Sequence, residues 1–186
     1  MMDTENKTIY SMLFKDSSAY LDFFFIACGA LLLSVLAHIR IPMWPVPFTM
    51  QTLGVILVAF FLGSRKGLLS LLLYLCLGIA GLGVFAHGSG IAAIIGPTGG
   101  FLVGFVAMVY VIGKMAEHGL GKTRKGIWLC VLAGEIALYA FGILGLGIFL
   151  GSLSEALIYG LIPFIVGDIL KAAIAVSFFP YLWPEA

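Results

Sequence analysis

Hydrophobic residues run through this chain in long blocks that polar residues break only at intervals, and the block lengths predict helices that cross a membrane. The hydrocarbon core of a bilayer takes about 17 to 25 apolar residues in helical form, fewer where the bilayer thins. Six blocks meet this requirement, at residues 20–39, 48–64, 66–83, 99–116, 126–147 and 160–180. The expected architecture is an all-α integral membrane protein of six transmembrane helices. A segment over 1–19 precedes a single six-helix domain over 20–186, whose longer outer connections fall near 40–47 and 84–99. The first nineteen residues carry Asp3, Glu5, Lys7, Lys15 and Asp16, and no small-residue cleavage site closes the first block. That segment is expected to stay attached rather than be removed as a signal peptide.

Composition sharpens the class. Of 186 residues, 62% are hydrophobic and 10% charged, and the mean hydropathy is +1.15. A soluble domain needs about a quarter of its residues charged, so most of this chain must meet lipid or other buried helices. Charge then orients it. Lys7, Lys15, Arg65, Lys66, Lys114, Lys122, Arg124 and Lys125 fall at alternate connections, whereas Arg40 alone occupies the opposite loops. By the positive-inside rule both termini are expected in the cytoplasm, with the chain a multi-pass protein of the cell membrane. A net charge of +1 gives no concentrated basic face and excludes nucleic-acid binding.

The two outer connections differ in kind. Residues 41–47 hold Pro42, Pro45 and Pro47 around Trp44, which stiffens the backbone and stops the first helix. Residues 84–100 are too glycine-rich for a stable helix yet too apolar for a solvated loop. Irregular backbone of that composition is tolerated at membrane depth where protein buries it or it lines a cavity, so it is expected to fold over the outer helix ends.

Charges within the spans carry the candidate chemistry. Asp168 and Lys171 lie three residues apart in the last block, on one helix face. Intramembrane charge is costly and usually functional. The pair can neutralise itself, or it can offer an acceptor and a donor to a ligand with N–H groups and a carbonyl, such as a cyclic urea or amide. Pro163 suits the first turn of that helix and sets the pair in its outer half, beneath the two loops. Glu135 is either a proton-coupling carboxylate or an interior residue bonded to Tyr139, one turn on. Gln51, Trp44 and His87 with Gly88 and Ser89 are the further candidates for the same outer pocket.

Other motifs reduce to simpler readings. Ala27, Ala30, Ser34 and Ala37 form one small-residue face, suited either to close packing within the domain or to docking another membrane protein. Cys28, Cys76 and Cys130 have neither ligand spacing nor neighbours that suggest a metal or a disulfide. Residues 116–123 imitate a phosphate loop, but without the strand and α/β domain such a loop requires they read as a positively charged connection.

Three stretches together resemble the BioY family, the biotin-binding S components of energy-coupling factor (ECF) transporters. They are residues 45–54 (PVPFTMQTLG), 96–105 (GPTGGFLVGF) and 163–171 (PFIVGDILK). The resemblance implies an ECF S-component-like bundle that is not an enzyme and binds no cofactor, with biotin as transported ligand. It further implies that Asp168 and Lys171 bind the ureido ring, that the valerate carboxylate lies toward Gly88–Gly90, and that Trp44 belongs to a lid. A transmembrane coupling subunit and ATPase subunits would supply the energy, docking on the small face of the first helix, where Ala30 and Ser34 only approximate the family's Ala-x-x-x-Ala. An S component for another vitamin and a stand-alone secondary carrier using Glu135 are the alternatives.

Overall fold

The structure, a computed structural model, describes residues 8–183; Asp3, Glu5 and Lys7 of the N-terminal segment lie outside the described residues. Helices form wherever the apolar blocks predict them. In order they are α1 (Ile9–Leu13), α2 (Ala19–His38), α3 (Gln51–Ile79), α4 (Ile91–Ile95), α5 (Gly99–Glu117), α6 (Arg124–Leu150), α7 (Leu153–Gly160) and α8 (Ile162–Phe178). A two-residue ribbon, β1 (Arg40–Ile41) against β2 (Phe48–Thr49), closes the proline loop, and 3₁₀ turns occupy Leu120–Lys122 and Phe179–Leu182. Five helical runs are long and apolar enough to span a membrane: Ala19–His38, Gln51–Ile79, Gly99–Glu117, Arg124–Leu150 and Ile162–Leu182.

That count differs from the expected six over one run, α3. Its hydrogen bonding is continuous enough to read as one helix, but Gly63 at φ 77° and ψ −172° is not helical. Gly67 lies against Val58, whose Cγ1 would sit 3.5 Å from a Cβ at Gly67. Nine residues of straight helix would separate the two by about 13 Å, so the run doubles back at Gly63 into two arms, 51–62 and 64–79. A positive φ at the bend is why glycine stands there. Glu117, at the end of α5, caps the second arm by accepting from Ser64 N (2.7 Å) and Ser64 Oγ (2.8 Å), and its negative charge suits a helix start.

α5 lies at the centre, between α3 and α6. Gly100 and Gly145 let α5 and α6 approach closely: a Cβ on Gly100 would come within 2.6 Å of the Phe141 carbonyl oxygen. Small residues at such a crossing gain dispersion contact, which is the main attraction between helices in lipid. α2 is the least enclosed span, with 17% of its most apolar window buried. Near its start a second fastening forms, in which Asp22 accepts from Lys66 Nζ (2.6 Å) and from Tyr10 Oη (2.6 Å). Tyr10 belongs to α1, whose Ile9 and Tyr10 are fully buried.

Two connections depart from expectation. Residues 84–100 contain a short helix, α4, although glycine was expected to prevent one; the glycines sit at its ends, Gly90 at positive φ before it and Gly96 after it, and leave Ile91–Ile95 free to coil. α7 was not anticipated, since it falls between two apolar blocks; Ser152 caps it by accepting from Glu155 N at 3.3 Å.

Candidate functional site

At the end of the bundle that carries the ribbon and α4, the helices part around a cleft that encloses about 570 Å³ of empty space, open solvent included. Every neighbouring segment contributes. The ribbon and the first turn of α3 bring Thr49, Gln51 and Thr52, and the 84–90 stretch brings Phe85 and His87. α5 and its cap supply Thr98, Phe101 and Phe105, α6 Tyr139, and α8 Phe164 and Asp168. The walls mix aromatic rings with aliphatic side chains, and Gln51, Thr52, Tyr139 and Asp168 bring polar atoms together where α3, α6 and α8 meet.

α8 buries Phe164, Asp168, Lys171, Ala172 and Ala175, a stripe at helical spacing that faces the bundle. Pro163 stands in its first turn, as expected. Asp168 and Lys171 are 7% and 3% exposed. Lys171 Nζ donates to Asp168 Oδ1 at 2.9 Å and to Thr52 Oγ1 at 3.4 Å, and it sits 4.4 Å over the centre of the Phe48 ring. The Tyr139 hydroxyl donates to Asp168 Oδ2. Each carboxylate oxygen thus has one partner and keeps acceptor capacity for another. Asp168 lines the cavity; Lys171 is not part of its lining and holds Asp168 from behind.

Gln51 is 3% exposed, lines the cavity, and its Nε2 has no hydrogen-bond partner. The Tyr74 hydroxyl, on the other arm of α3 beneath the Phe85 ring, is likewise buried and lies beside the Gln51 amide without a well-formed hydrogen bond to it. A buried donor without an acceptor is costly unless something arrives to receive it. The site therefore combines a carboxylate acceptor, a buried amide donor and apolar walls that include aromatic rings, which suits a compact heterocycle bearing N–H groups and a carbonyl.

The other expected residues divide. His87 lines the cavity, whereas Gly88 and Ser89 are exposed and outside its lining. Trp44 is 73% exposed and meets Tyr159 of α7 edge-on with ring centres 6.1 Å apart, and it too lies outside the lining. Tyr139, the partner that one of the two readings of Glu135 offered it, bonds Asp168 instead; among the described residues both Glu135 carboxylate oxygens are buried without a partner, within electrostatic reach of Asp168 and Lys171. Of the small face on α2, Ala30 and Ala37 are buried in the protein's own packing, while Ala27 and Ser34 are half-buried and Ser34 Oγ donates to the Ala30 carbonyl at 2.8 Å. The side of α2 left open instead carries Phe23, Phe24, Leu31 and Val35. Sequence reasoning missed Thr52 and Tyr139 as site residues. A hydroxyl one position after Gln51, and a tyrosine near two intramembrane carboxylates, were the available signals.

The family model described as the BioY family matches residues 9–186. The chain is 43% identical over 152 residues to a probable biotin transporter BioY of Pyrococcus horikoshii, covering 81% of this chain and 89% of the relative. It is 39% identical over 147 residues to the biotin transporter BioY of Thermotoga maritima, covering 77% and 85%. Among solved structures, a crystal structure of the S-component for biotin from an ECF-type ABC transporter superposes with a TM-score of 0.71 at 25% identity, covering 89% of this chain and 92% of that one.

Proposed function

The chain belongs to the BioY family, and from that premise we propose that it is the biotin-binding transmembrane subunit of a biotin uptake system. The cavity end faces outward, with both termini in the cytoplasm and the two arms of α3 each crossing the membrane to make six spans. Support for this orientation comes from the basic residues, since Lys66, Lys114, Lys122, Arg124 and Lys125 lie at the end opposite the cavity. The subunit captures biotin from outside and releases it inward. It is not an enzyme and holds no cofactor of its own; a transmembrane coupling subunit and ATPase subunits supply the energy. The open face of α2, rather than the buried Ala30 and Ala37, is where we place the coupling subunit.

The observation that carries the reading is Asp168, a carboxylate acceptor held by Lys171 and Tyr139 at the wall of a cavity lined by aromatic and aliphatic side chains. In the proposed complex the ureido N–H groups donate to Asp168, and the ureido oxygen accepts from Gln51 Nε2. Lys171 holds the carboxylate in its orientation. Equilibrium binding to the purified protein in nanodiscs tests this. Tight binding of biotin, and none of the analogue whose ring is opened to the diamine, is expected. Equal binding of the two would overturn the assignment.

A second reading rests on Glu135, whose buried carboxylate has no hydrogen-bond partner. In it the chain carries biotin alone with a proton as coupling ion. Uptake by the chain expressed without partners, abolished by dissipating the proton gradient and by Glu135→Gln, would favour this over the coupled subunit.

A further inference from the structure

Biotin has two ends, and the residues discussed so far serve one of them. With the ring on Asp168, the carboxylate at the end of its flexible chain points to the cavity mouth. Within the site the charge of Asp168 is already matched by Lys171, so the cavity itself offers no spare cation for that anion.

The ribbon supplies one. Arg40 is paired directly with Thr49, and Ile41 with Phe48. Residues directly opposed in an antiparallel pair project their side chains from the same face, and the next pair projects from the other. Phe48 turns toward α8, where its ring stacks on Phe164 and lies under Lys171. Thr49 lines the cavity. Arg40 therefore projects from the same face of the ribbon as Thr49, at the rim and outside the cavity's own lining. It is exposed, and among the described residues no ion pair engages it. Glu155, the carboxylate of α7, which meets the ribbon through Tyr159 and Trp44, is not paired with it.

We propose that Arg40 is the carboxylate receptor at the mouth of this site: its guanidinium attracts the anionic tail of the ligand and pairs with it once the ring is seated. The inference rests on the biotin reading and adds to it the residue that selects for a charged tail. A planar guanidinium can meet a carboxylate through two parallel hydrogen bonds, which a lysine or histidine cannot. Because the site is open to water, the gain appears chiefly as faster capture, and it is screened by salt.

Binding kinetics of biotin and of biotinamide, identical except for the charge, decide the matter in wild type, R40Q, R40K and H87Q at low and high salt. Wild type is expected to prefer biotin, less so at high salt. R40Q narrows that preference roughly tenfold, mostly in the on-rate, and R40K restores part of it. The proposal is overturned if R40Q weakens both ligands equally or leaves the preference intact, or if the preference vanishes in H87Q instead. Failure of wild type to bind either ligand sinks the biotin reading itself, and this inference with it.

Discussion

Two ion pairs at opposite ends of this protein are built from the same parts and do different work. At each, an aspartate accepts from a lysine and from a tyrosine hydroxyl, and the lysine rests over an aromatic ring: Lys171, Tyr139 and Phe48 around Asp168, and Lys66 with Tyr10 in both aromatic roles around Asp22. The Asp22 cluster joins three separate helical segments, α1, α2 and the second arm of α3. Asp168 and Lys171 are three residues apart on one helix, so the ion pair itself joins no second segment; α6 and α3 reach it only through the hydroxyls of Tyr139 and Thr52. Exposure differs too. The side chains of Lys66 and Asp22 are 25% and 32% exposed, against 3% and 8% for Lys171 and Asp168. A partly wet pair across segments is a fastener of modest strength. A dry pair within one helix costs more than it returns in stability, and its retention beside a cavity points to the ligand.

The largest effect should come from separating those two roles at the dry pair. Asp168→Asn leaves Lys171 buried without its counter-ion, a penalty of about 3–5 kcal/mol, and removes the acceptor of the ureido N–H groups. Calorimetry should show no biotin binding and thermal denaturation a lower midpoint. The double variant Asp168→Leu with Lys171→Met replaces the pair by apolar groups of similar size. Its stability should return to near that of wild type while binding stays lost. Recovery of binding in that variant would remove the pair from the site.

The tyrosines give the next test, because one hydroxyl serves each aspartate. Tyr139→Phe removes a hydrogen bond to a charged acceptor, worth about 1.5–3 kcal/mol. Biotin affinity should fall by roughly ten- to a hundredfold, the equivalent in binding of that loss. Tyr10→Phe makes the same chemical change at the other cluster and should lower stability while leaving biotin affinity as it was. Equal effects of the two on binding would show that both clusters act only through the stability of the bundle.

The sequence disclosed these regions unequally, for physical reasons. Span positions were legible because membrane-grade hydrophobicity is a composition signal that needs no partner, and Pro163 placed the start of α8 correctly. Asp168 stood out because a charge in such a run is conspicuous. What required the fold was pairing across segments. Nothing local assigns Tyr139 to Asp168 rather than to Glu135 on its own helix, since helical spacing favours the neighbour that tertiary packing overrules. The face of Ala30 and Ala37 was legible as small but not as inward, because a small-residue face serves packing within the domain and docking from outside equally well until α3 is seen to cover it. α7 escaped because its apolar residues blend into a gap between spans, and Lys66 was read as a topological charge with no hint of Asp22 and Tyr10.

The smallest expected effect tests the fastener. Lys66→Ala removes the cation from the Asp22 cluster and the contact over the Tyr10 ring, leaving the Tyr10 hydroxyl on Asp22. Partial exposure screens the pair and allows water to replace the lysine, so the loss should be at most about 1 kcal/mol, read as a small drop in thermal stability that wild type at high salt partly reproduces. Biotin affinity should not change, because the cluster lies beside the bend of α3, at the opposite end of its first arm from Gln51 and Thr52. A fall in affinity comparable to that of Tyr139→Phe would mean that the bend at Gly63 transmits strain along both arms to the cavity. The two ion pairs would then be coupled parts of one device rather than a fastener and a binding group.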